Sequence, residues 1–229
     1  MKKIPQARLR KIRTWKPGAK IGELIDSAEK LNPQALVDLA SNDYLGLSQN
    51  SKLRDAAHKV MFAEGVGSGA SRLVTGSRPI HKKLEAALSE WLGFDHVLLF
   101  PSGFQANLAA VNALANRHTP VIADKLIHHS LLVGVKTSGA QIKRFKHNSL
   151  NDLERIIKKC IETKPNNPPL VITESLFSME GTTAPIKEIS QICMKYESKL
   201  LIDEAHAFGI MGSEGRGESF GLKEPISII

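Results

Sequence analysis

Between residues 97 and 202 short apolar runs alternate with stretches of helical periodicity, and no other feature narrows the fold so far. Strands are expected at 97–100, 121–123, 142–145, 170–173 and 200–202. The last of these, Leu200-Leu201-Ile202, is wholly apolar, as suits a strand buried on both faces of a parallel sheet. Helices are expected at 104–115, 126–138 and 186–196. Another is opened by Ser149 and Asp152, a pair resembling a capping box, and carries Leu153, Ile156, Ile157 and Cys160 on one face. Strands that alternate with helices predict an α/β fold, a mostly parallel sheet covered by helices on both faces.

In such sheets the carboxyl ends of the strands open onto the ligand crevice. Asp203 and His206 follow the 200–202 run directly and so fall where a ligand would sit. Other strand ends are polar too. Ser102-Gly103-Phe104 lies between a strand and a helix, where free N–H groups favour an anion such as phosphate. His128 follows the next strand, and Glu174, Ser175 and Ser178 follow another. The convergence of these groups is a stronger signal than any one of them.

Upstream, 35–39 reads as a strand and 41–46 as a turn-rich loop. Ser51 is placed to cap a helix with Leu53, Ala57, Val60 and Met61 on one face and Gly65 as its stop. The glycine-rich stretch 65–72 is not spaced GxGxxG and follows a helix, so it reads as backbone needing positive φ and not as a phosphate loop. Pro79 opens a further helix with Leu84, Leu88 and Trp91 inward and Gly93 beyond its end. Residues 225–229 read as the entry to another strand within which the chain stops, and a truncated chain is expected.

A formal net charge of +8 fits a polyanionic partner. Much of the excess is Lys2, Lys3, Arg8, Arg10, Lys11, Arg13 and Lys16, with no acid before Glu23. With Trp15 as its only aromatic, this stretch reads as a solvated basic arm and no nucleic-acid partner is expected. No run has the apolar length of a membrane span, and no signal peptide is visible. Cys160 and Cys193 read as core thiols of a reduced, cytoplasmic protein. Asp203-Glu204-Ala205-His206 also spells a helicase box, but that needs a phosphate loop and the chain contains no Gly-Lys pair. There is no HExxH for a metal and no GxSxG for a serine hydrolase.

Seven segments in order carry a family resemblance: SNDYLGL (41–47), GSGASRLVTG (67–76), HKKLE (81–85), FPSGFQAN (100–107), DKLIHHS (124–130), TESLFSMEG (173–181) and IDEAHAFGIMGSEGRG (202–217). Together they resemble the α-oxoamine synthases, fold type I enzymes that use pyridoxal 5′-phosphate. The resemblance implies that Asp203 pairs with the pyridine nitrogen, that His206 bonds the ring's phenolic oxygen and that His128 stacks on the ring. It further implies that Ser178, Gly103 and Phe104 contact the cofactor and that Asn42 and Arg13 face the substrate. The reaction implied is condensation of L-alanine with a pimeloyl thioester in biotin synthesis, by a homodimer. Glycine acetyltransferase and 5-aminolevulinate synthase are the alternatives within the family. It also implies a small-domain segment with the arm at 1–50, an incomplete cofactor-binding domain at 51–229 and a C-terminal domain beyond the chain. The family's Schiff-base lysine lies about thirty residues past the aspartate, beyond Ile229, so the chain alone is expected to lack turnover. A non-catalytic partner subunit or relic is the alternative of another class.

Overall fold

The computed structural model describes residues 12–27, 35–222 and 226–228. Lys2, Lys3, Arg8, Arg10 and Lys11 of the basic arm, and Pro225 and Ile229 of the last expected strand, lie outside the described residues. The chain divides into two compact units, residues 1–67 and 68–229.

In the first unit β1 (Trp15–Pro17), β2 (Glu23–Asp26) and β3 (Ala35–Val37) form an antiparallel meander. Trp15 pairs with Asp26, and Glu23 with Val37. The expected 35–39 strand is shorter because Asp38 turns the chain, its Oδ1 accepting the N–H groups of Ala40 and Ser41. The loop after it is as turn-rich as its composition requires: Asp43 accepts from the Ser48 hydroxyl and N–H, and Ser41 Oγ accepts from Asp43 N–H. Helix α1 (Ser51–Glu64) follows. Its cap is Asn50 and not Ser51, because the Asn50 side chain reaches the Lys52 N–H. Gly65 ends α1 at φ 81°. None of its residues is buried, so its apolar stripe is not core.

The second unit opens on a turn at 71–76 where Gly76 is obligatory: a Cβ there would stand 1.8 Å from the Ala70 carbonyl oxygen. Helix α2 (Pro79–Leu92) has proline at its first turn and left-handed Gly93 at its end. Leu84, expected inward on α2, is exposed, while Leu88 and Trp91 are half-buried.

The rest is a five-stranded sheet in the order β5-β4-β6-β7-β8, every pair parallel. The elements are α3 (Gly103–Leu114), β4 (Pro120–Asp124), α4 (His129–Ser138), β5 (Gln141–Phe145), α5 (Leu150–Thr163), β6 (Leu170–Glu174), α6 (Ile186–Lys195), β7 (Lys199–Asp203) and β8 (Ile226–Ile228). Every residue of β4 and β6 is buried, which requires cover on both faces. The core runs through Ile122, Leu131, Phe145, Leu153, Ile157, Leu170, Ile172, Ile189, Leu200, Leu201 and Ile202. Each such side chain contributes roughly 1.5–3 kcal/mol of burial. Helix α5 shows the sequence logic plainly: Leu153, Ile156, Ile157 and Cys160 are its buried residues. Ser149 caps it by accepting the Asp152 N–H, while Asp152 reaches back to Lys146 N–H, so the expected capping box is half formed. Cys160 and Cys193 are both buried free thiols. Strand β5 has only Phe145 buried and sets Lys143 and Arg144 along the sheet edge, which discourages pairing with another chain.

Two further expectations, both on elements of the second unit, are corrected. Residues 97–100 are not a strand. The backbone groups of Leu99 are taken instead by side chains: its N–H donates to Glu85 Oε1 at 3.0 Å and its carbonyl accepts from Arg72 at 3.4 Å. Helix α4 starts at His129, three residues later than its periodicity suggests. Asp124 holds the Leu126 N–H at 2.8 Å and so spends the intervening residues in a turn.

Candidate active site

Strands β4, β6 and β7 are adjacent, and each ends in a carboxyl group: Asp124, Glu174 and Asp203. All three are buried, yet they are held in different ways.

Asp124 is saturated. Its Oδ1 accepts from Leu126 N–H and from His147 Nδ1 at 3.0 Å, and its Oδ2 from Asn148 N–H at 3.0 Å. His147 reaches on to Thr182 Oγ1 at 2.8 Å and sits edge-on to Phe177. This group ties β4 to the turn after β6.

Asp203 accepts one bond at each oxygen, from Ala205 N–H at 2.9 Å and from Asn107 Nδ2 at 2.8 Å. The second hydrogen of that amide goes to Ser130 Oγ at 2.8 Å. Ser130 Oγ stands 2.7 Å from His128 Nδ1, which also accepts the Ser130 N–H at 3.4 Å. Because Ser130 Oγ accepts from Asn107, its proton points to His128 Nδ1. In the neutral ring that places the imidazole proton on Nε2. The amide orientation follows as well, since a carboxylate cannot face the amide oxygen. Asn107 Oδ1 is thereby left buried without a hydrogen-bond partner.

Glu174 stands in register with Asp203 across β6 and β7. Its Oε1 accepts the backbone N–H of His128. Burial, and then the charge of Asp203, push the Glu174 carboxyl up to about 8, against the pull of the His128 N–H; Asp124 and Glu180 add to the rise. Next in the chain, fully buried Glu204 accepts from Ser175 Oγ at 2.5 Å and from Ser219 N–H at 2.8 Å. It fastens the segment after β7 to the end of β6. Gly217 lies against that carboxyl at φ 86°, where a Cβ would be 2.8 Å from the Glu204 side chain.

The structure brings Asp203 and His128 together through Asn107 and Ser130. Gly103 and Phe104 form the start of α3, the helix that carries Asn107 one turn on. The first intrahelical bonds there come from Gln105 and Ala106 to Ser102, ahead of which the Gly103 and Phe104 N–H groups stand free of helical acceptors. His206 is half-buried in the turn after β7. Ser178 is exposed in the turn after β6, between the Leu176–Thr183 bridge partners. Arg13 and Asn42 belong to the first unit. There Arg13 pairs with Asp26 and lies 4.8 Å over the Trp15 ring, and Asn42 Oδ1 accepts from the Tyr44 hydroxyl at 3.5 Å.

Sequence reasoning passed over Asn107 and Ser130. The available signal was a lone amide one turn into α3, in line with Val111 on an otherwise apolar face.

The family model of class I and II aminotransferases matches residues 34–228. An 8-amino-7-oxononanoate synthase of Photobacterium profundum is 42% identical over 197 residues, 85% of this chain and 50% of that protein. A serine palmitoyltransferase of S. paucimobilis, solved with PLP–myriocin bound, superposes with a TM-score of 0.83 at 28% identity, over 91% of this chain and 50% of that one. An 8-amino-7-oxononanoate synthase structure from Francisella tularensis gives a TM-score of 0.63 at 28% identity, over 79% of this chain and 48% of that one. The chain spans about half the length of the relatives it matches. A family model that covers most of the chain and solved relatives with the same arrangement of strands and helices agree: this chain belongs to the class I and II aminotransferase family.

Proposed function

We propose that the protein holds pyridoxal 5′-phosphate at the ends of β4, β6 and β7. We further propose that it serves the decarboxylative condensation of L-alanine with a pimeloyl thioester to give 8-amino-7-oxononanoate, as a cytoplasmic homodimer. The observation that carries the reading is the buried Asp203 carboxylate, oriented by Asn107 and coupled through Ser130 to His128.

The residues fit the cofactor. A carboxylate at a strand end, held from behind by two N–H donors, keeps lone pairs for a ring N–H⁺. A helix start with uncommitted N–H groups suits a phosphate. The orphaned Asn107 Oδ1 marks a polar lining and not a packed apolar core. When bound, the cofactor supplies a protonated pyridine ring that draws off negative charge from the α-carbon of an amino acid.

The chain's own groups then have distinct tasks. Asp203 keeps the proton on the pyridine nitrogen. Asn107 holds Asp203 in position. Gly103 and Phe104 donate to phosphate oxygens. His128 presents its ring face. His206 donates to the phenolic oxygen, and Ser178 bonds the cofactor. Arg13 and Asn42 receive the substrate. The net charge of +8 favours an anionic acyl donor. Among the described residues no helix is long and apolar enough to cross a membrane.

The test is retention of PLP after ultrafiltration, followed by its absorbance. The chain is expected to retain PLP at neutral pH, and Asp203→Asn to bind it at least ~10-fold more weakly through loss of a charged partner. Equal retention by the two would refute the site. Substrate choice is read from thiol release on the longest open frame containing these residues. L-alanine with pimeloyl-CoA should outpace glycine with acetyl- or succinyl-CoA.

A further inference from the structure

We propose that Glu174 and Asp203 act as one carboxyl pair bearing a single negative charge, with the proton on Glu174 Oε2, so that Asp203 alone faces the ring while neutral Glu174 positions His128. This assigns Glu174 as a positioning residue and rests on the cofactor reading above.

Glu174 and Asp203 are directly paired residues at the ends of neighbouring parallel strands, and both are buried. Two carboxyl groups so placed cannot both ionise without cost. The hydrogen bonds decide which one keeps the charge. Asp203 receives two N–H donors, one at each oxygen. Glu174 receives one, from the His128 backbone, and it falls on Oε1. A proton on Glu174 therefore belongs on Oε2.

The groups that act on Glu174 from each neighbouring element point the same way. Asp203 on β7, Asp124 on β4 and Glu180 in the turn after β6 are all acidic, and among the described residues the opposing contribution is the His128 N–H from the loop before α4. A Glu174 carboxyl pushed up to about 8 lies within reach of ordinary buffers.

The pairing has a mechanical side. The His128 N–H is a link between β6 and the residue proposed to stack on the ring. Glu174 thus fixes the backbone of His128, while Asn107 and Ser130 fix its ring. Ionisation of Glu174 would place a second negative charge beside Asp203, and this would repel the net-negative phosphate ester.

Two measurements test this. The first needs no cofactor: infrared difference spectra of the chain between about pH 6 and about pH 10, spanning the range over which a raised carboxyl titrates. A protonated carboxyl band should disappear with a midpoint near pH 8 and be absent from Glu174→Gln, whose amide oxygen still accepts the His128 N–H. The second is PLP affinity across the same range. The native chain should lose roughly 3- to 10-fold through the transition, as expected for a new like charge near the site, while Glu174→Gln stays flat. Absence of the band at low pH, or an unchanged step in Glu174→Gln, overturns the proposal. Failure of the native chain to retain PLP at any pH overturns the cofactor reading instead, and the infrared result still decides the pair.

Discussion

Asn107 gives both amide hydrogens to the site, one to Asp203 and one to Ser130, and keeps an unpaired oxygen. Asn107→Ala strands a buried carboxylate and a buried hydroxyl, and should lower stability by about 1–3 kcal/mol. Urea titration of the folded chain measures it, and no change would mean that water replaces the amide. Glu174 makes the opposite kind of prediction. Its folded value of about 8 lies above the ordinary carboxylate range, so its contribution to stability is full below about pH 4 and is lost as pH rises to about 8. Glu174→Gln should remove that decline, gaining on the order of 1–3 kcal/mol over the native chain above pH 8. The strand-end positions of Asp203, His128 and Glu174 were legible from the alternation of apolar runs alone. Asn107 and Ser130 were not, because a polar residue on a helix looks solvated until the neighbouring element is known.

At the scale of elements, the sheet was legible because β4, β6 and β7 are runs too apolar to lie anywhere but inside. The same rule misread 97–100, since an apolar run becomes a strand only where a ladder partner takes its backbone. Here Glu85 takes the Leu99 N–H and Arg72 its carbonyl. The Arg72 guanidinium, bonded at 2.6 and 3.1 Å, and the Leu99 N–H together hold the Glu85 carboxyl at about 2. A depressed carboxyl contributes stability above its unfolded value and loses it as pH falls from about 4.5 towards 2. Glu85→Ala should therefore free this segment. Hydrogen exchange of the Leu99 amide is expected to accelerate by about 10-fold or more, corresponding to about 1–2 kcal/mol of lost local protection.

For the molecule as a whole, the buried apolar cluster runs from Val111 to Ile202 and lies entirely in the second unit. Neither α1 nor α2 has a buried residue. Limited proteolysis should cut first before α3 and leave a resistant fragment beginning near residue 100, identifiable by mass spectrometry. First cuts between β4 and β7 would contradict this ranking. The order β5-β4-β6-β7-β8 also bears on how the protein emerges from the ribosome. After the first pair has met, each later strand attaches to a border already exposed, β6 beside β4, β7 beside β6 and β8 beside β7. Among the described residues no strand must be threaded between two that are already joined. The sheet can grow outward in the direction of translation, its carboxyl-bearing rim taking shape one residue at a time from Asp124 to Asp203.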